Sequence, residues 1–99
     1  MQTNARGPAG WVVGVMVKPA GETAHLRHYY AVGCAEQGKA EWTAVDMALR
    51  EGAVAESPVG GLEPVAALRP LPLQRMAALG LRPGETRALG WKHPRRWLA

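Results

Sequence analysis

The run Gly33-Cys34-Ala35-Glu36-Gln37-Gly38-Lys39-Ala40 comes close to the phosphate-cradling pattern G-x-x-x-x-G-K-[ST]. In that pattern backbone N–H groups wrap the phosphates, the lysine reaches the outer ones, and the final hydroxyl holds a magnesium ion. The run leaves a predicted strand and opens a predicted helix, which is the setting this chemistry needs. Its side chains argue otherwise. Ala40 removes the magnesium-binding hydroxyl, and Glu36 places a carboxylate among the phosphate oxygens. The later strand ends at Arg69 rather than at an Asp, and one strand–helix unit in 99 residues is too little for such a nucleotidase. Gly33 is therefore expected to give a tight exit from the strand, and Lys39 to be a solvated helix residue.

Cys34 is the single cysteine, placed where a helix N-terminus favours the thiolate. A base is missing beside it. His28 is six residues back along the same strand, about 20 Å away at strand rise, so Cys34 is expected to pack as a small hydrophobe. His25 and His28, three apart on a strand, point to opposite faces and cannot share an ion. Neither one alone, nor either joined by His93, makes a metal site. Glu36, Glu41, Asp46 and Glu51 recur every five residues, which scatters them around a helix. No catalytic residue, cofactor site or metal site is expected.

The C-terminal run Trp91-Lys92-His93-Pro94-Arg95-Arg96-Trp97 interleaves cations with flat rings. Trp91, Lys92, Arg95, Arg96 and Trp97 are the candidate contact residues. Cations on phosphates and indoles on bases would hold a single-stranded nucleic acid. The same indoles would equally plug apolar sheet, with Arg95 and Arg96 reaching acids such as Glu41 or Glu51.

The elements that must position these groups follow from periodicity. Residues 10–18 (GWVVGVMVK) are apolar on both faces and read as a central strand. Pro19-Ala20-Gly21-Glu22 is turn chemistry, and residues 24–33 alternate again, which predicts an antiparallel hairpin. Residues 35–51 switch to helical period, with Trp42, Val45 and Leu49, and Ala48 beside them, expected to face the core and Lys39, Asp46 and Arg50 to point outward. Gly52 is expected just past the helix end. Residues 62–69 predict a modest strand that Pro64 confines to an edge or to a start further along. Residues 73–79 predict a short helix after Pro72, stopped by Gly80, with Leu81 folding back on Met76. Arg82-Pro83-Gly84-Glu85 fits a type II turn, and residues 86–92 could add a last strand.

The expected architecture is α+β: a small, mainly antiparallel sheet of three to four strands in the order β-β-α-β-α, with one long and one short helix. The simplest sheet puts the first strand between the other two. Residues 1–9 read as a flexible end, 10–92 as one α+β domain, and 93–99 as a basic aromatic tail. The chain contains no Phe, so Val, Leu, Met, Ala and Trp must build the core. A lone cysteine leaves no internal disulfide, and no apolar stretch resembles a signal peptide or a membrane helix. A cytoplasmic location without membrane association is expected.

Charge divides unevenly along the chain. Residues 1–64 hold five Lys/Arg against seven Asp/Glu, whereas residues 65–99 hold seven Lys/Arg against Glu85 alone. That asymmetry can steer an anionic partner or pair one copy's tail with another's helix. Two helices of these lengths are expected to leave one sheet face bare. The leading expectation is accordingly a non-enzymatic protein that self-associates as a homodimer, or binds a protein partner, through that face. The alternative is a nucleic-acid binder using the basic last third. An enzyme working around Cys34 and Lys39 is the third.

Overall fold

A computed structural model describes residues 7–92. Its architecture is α+β, with a mainly antiparallel sheet and two helices. Strand β1 (Gly10–Pro19) turns back into β2 (Leu26–Val32), pairing Trp11 with Val32, Val13 with Tyr30 and Val15 with His28. The turn closes with the Glu22 N–H donating to Pro19 O at 3.0 Å, and Gly21 supplies the positive φ of 85°. Helix α1 (Gln37–Ala48) follows, then a short strand β3 (Gly52–Val54) and the longer β4 (Val65–Leu71). Helix α2 (Leu73–Ala78) and β5 (Thr86–Gly90) complete the chain of elements.

β1 is central, as its two apolar faces imply. β2 lies along one edge and is itself flanked by β5. The other edge is shared: β4 pairs with Gly10–Val15, and β3 with Val17–Pro19. Between them the Met16 N–H donates to Pro64 O, and Met16 O accepts from the Ala55 N–H, so the ladder runs on without a gap. β3 is the strand that periodicity missed. Gly52 belongs to it rather than to the helix stop, because a Cβ there would lie 2.1 Å from Lys18 O. Only a glycine lets the two backbones approach so closely.

One face of the sheet carries Val13, Val15, Val17, Tyr30 and Val32 beneath α1. The helix meets them with Ala40, Ala44 and Ala48, all fully buried. Of the expected inward stripe Ala48 is buried, but the structure overturns it at the large residues: Trp42 is 72% exposed and Leu49 57%. β-branched and tyrosine side chains already fill the space above the strands, so a flush helix presents methyl groups inward. Trp42 sits about 160° around the helix from Ala44, on the opposite side.

The second face is not bare either. Val12, Met16, Tyr29 and Ala31 are all buried within the one chain. Leu71, Met76 of α2 and Leu81 form a separate cluster over Val12 and Ala31. Further along, the Arg27 side chain lies over Gly14, with its Nε 2.8 Å from where a Cβ would stand. One turn and a half of helix covers this face because its C-terminus folds back on the sheet. The Leu81 N–H donates to Met76 O and the Gly80 N–H to Ala77 O, with Gly80 at φ 70°. Arg87 donates to Leu79 O and Gly80 O, setting a cation against the negative helix end.

Candidate functional site

The segment that resembles a phosphate cradle is committed to other partners. The Gly33 N–H donates to Glu85 O at 2.7 Å, and Gly33 O accepts from the Gly84 N–H at 2.7 Å. Those bonds clamp the β2 exit to the Arg82–Glu85 turn, which is type II as its sequence implies: Glu85 N–H to Arg82 O, Gly84 at φ 86°. The Glu85 carboxylate closes the same turn by accepting from the Arg82 N–H at 2.8 Å. Cys34 is half-buried against the α1-side core, its Sγ 3.7 Å from Glu36 O. Lys39 is exposed and, with Cys34, Thr43 and Thr86, lines a shallow recess of about 240 Å³.

His28 and Tyr30 point to the same side of β2, as alternation implies, and both are buried. The Tyr30 hydroxyl and His28 Nδ1 share a hydrogen bond of 2.6 Å whose direction is set by the imidazole tautomer, and the rings meet edge to face at 4.6 Å. Trp91, immediately after β5 and itself partly exposed, stacks on the imidazole at 4.1 Å, nearly parallel. One indole of the aromatic run is thus packed on the sheet, while Lys92 is exposed. Arg95, Arg96 and Trp97 lie outside the described residues. Among the described residues no three His, Cys, Asp or Glu side chains come together as ion ligands.

Burial holds the His28 pKa below its usual 6.5, although Glu51 pulls the other way. Burial, with help from Glu51, pushes the Tyr30 hydroxyl up to about 12. The pH dependence of stability follows from these directions. An unfolded chain takes up a proton at His28 near pH 6.5, before the folded one does, so the folded state loses stability as pH falls below that value. The Tyr30 shift has the opposite sign: its stabilisation is complete below pH 10 and is lost as pH rises towards 12. Thermal midpoints measured from pH 7.5 down to 5 should therefore decline. A His28→Phe variant, which has nothing to protonate there, should show a flatter acid limb; an unchanged slope would remove His28 as the cause.

No protein-family model matches this chain, and no curated protein or solved structure does either.

The feature that periodicity missed is on α1. Trp42 stands at the mouth of an apolar groove of about 360 Å³ lined by Glu41, Val45, Val54 and Val65. The groove runs between the helix and the β3–β4 edge. It exists because the alanine stripe turns the helix's largest side chain outward, leaving Val45 to face the edge strands. The exposed indole and the half-buried valines beside it form one continuous apolar patch at the helix–sheet edge. The signal available in the sequence was the Ala40–Ala44–Ala48 spacing, which marks a closer helix–sheet approach than bulky side chains permit.

Proposed function

We infer that this chain is a binding protein rather than an enzyme, and that it docks a protein partner through the outer face of α1. The observation that carries this is Trp42, 72% exposed at the edge of an apolar groove. Tryptophan is enriched at the centres of protein interfaces, where its ring contributes large contact area at small conformational cost. Since the central strands β1 and β2 are buried on both faces within the chain, the docking surface moves from the sheet to the helix.

The test is a photo-reactive amino acid placed at positions 49, 22 and 92, one per variant, followed by irradiation in cells. Leu49 is exposed on the Trp42 side of α1, so the indole stays in place. Protein adducts are expected from position 49 and not from position 22 in the exposed β1–β2 turn. An absence of protein adducts at 49 defeats the proposal. Adducts with nucleic acid from position 92, with none at 49, would transfer the function to the basic last third.

A further inference from the structure

Taking the α1 face as the docking surface, on which reading this inference rests, we propose that its partner is a second copy of this chain. The two α1 helices lie antiparallel across a two-fold axis that passes beside Trp42.

A two-fold interface is made of one patch meeting itself, so the patch must be complementary to its own rotated image. The α1 face meets that requirement in shape. The exposed Trp42 is a projection, and the groove beside it, floored by Val45, Val54 and Val65, is a recess of about 360 Å³. Rotation about an axis beside Trp42 places each indole against the other copy's recess.

It meets the requirement in charge as well. Lys39 and Asp46 are both exposed, and both lie on one side of Trp42, turned from it by about 40–60°. One precedes Trp42 by about 4.5 Å along the axis and the other follows it by about 6 Å. Antiparallel pairing about Trp42 sends each residue to the mirror height on the same side, so Lys39 of each copy meets Asp46 of the other. Glu36 and Arg50, the next exposed charges outward on that side, are brought together by the same rotation. Parallel pairing would instead set Lys39 beside Lys39 and Asp46 beside Asp46, which repel. On that side the charges change sign about the aromatic centre, which suits the patch to its own copy.

Sedimentation velocity of the purified full chain, from about 1 to about 200 µM, tests this directly. A reversible dimer is expected. Trp42→Ala should raise its dissociation constant at least ~100-fold, as central interface aromatics do. Lys39→Glu and Asp46→Lys should each weaken it about tenfold, since each sets like charges together in both copies. The double variant, K39E with D46K, should recover to within about threefold of the parent, because the pair is restored in reverse. All these positions are exposed, so far-ultraviolet circular dichroism should report an unchanged fold. A monomer throughout, or a dimer indifferent to these substitutions, overturns the proposal. A monomer that still gives adducts with a different protein from position 49 refutes the second copy alone; a monomer without adducts there refutes the docking surface too.

Discussion

Gly33→Ala is expected to remove about 3 kcal/mol of folding stability, which in a domain this size lowers the thermal midpoint by ~12–24 °C. A Cβ at this position would stand 2.5 Å from Arg82 O and 3.1 Å from Glu85 O. Both atoms are backbone, in a turn that can retreat only by losing its bonds to the Gly33 N–H and C=O. Gly38, the second glycine of the same run, is the control. A Cβ there meets nothing within 4 Å, and the residue is inside α1. Gly38→Ala should therefore stabilise by about 0.5–1 kcal/mol, the helix-propensity gain of alanine over glycine. Opposite signs at the two glycines are the signature of a structural clamp. A phosphate cradle would need both glycines for close backbone approach, and its folding would be indifferent to which one changed. Urea midpoints for the two variants decide it; a Gly33→Ala protein within about 0.5 kcal/mol of the parent would show that the clamp does not matter.

That run illustrates what a sequence discloses and what it withholds. Its glycine and lysine spacing is visible as a pattern, but the turn that occupies Gly33 comes from residues about fifty positions later. The type II signature of Arg82–Glu85 was legible by itself; its landing place was not. The hairpin was legible because two local codes agreed, period-two alternation and a Pro/Gly turn between the strands. The α2 stop was legible for a similar reason: Gly80 and Leu81 act within one turn of Met76. β3 left no such trace. Three residues cannot display a period, and its reason for pairing is the open length of β1 beside Val17–Pro19. The covered second face was missed because the length of α2 understates it; Leu71, Leu81 and the Arg27 stem extend the cover from outside the helix.

The orientation of α1 is the costliest of these misjudgements, because the candidate site depends on it. Apolar residues span about 220° of this helix, from Met47 round to Trp42, so its amphipathic signal does not choose between the Ala40–Ala44–Ala48 side and the Trp42 side. Hydrophobicity alone favours burying the tryptophan. Space decides otherwise, since the sheet surface below is already raised by Val13, Val15, Val17, Tyr30 and Val32. The Trp11 indole N–H, donating to Ala35 O at 2.9 Å, further ties the approach to the helix close to β1.

Ala44→Leu turns this account into a measurement. Leucine is nearly as good a helix former as alanine and more hydrophobic, so neither propensity nor transfer energy predicts harm. The structure does. Ala44 is fully buried midway along the contact stripe, and the extra carbons have nowhere to go except into the valines of β1. The expected loss is about 3 kcal/mol, the upper part of the range for overpacked cores. Trp42→Ala, by contrast, should change monomer stability by no more than about 0.5 kcal/mol, because the indole is largely in water. With Trp42 inward the results would be exchanged: the tryptophan truncation would cost ~3–5 kcal/mol and the leucine would be tolerated on an outer face. Chemical denaturation of both variants, at concentrations low enough to keep any dimer dissociated, separates the two orientations without reference to a partner. If the leucine is tolerated and the tryptophan is needed for folding, the groove on α1 closes and the docking surface goes with it.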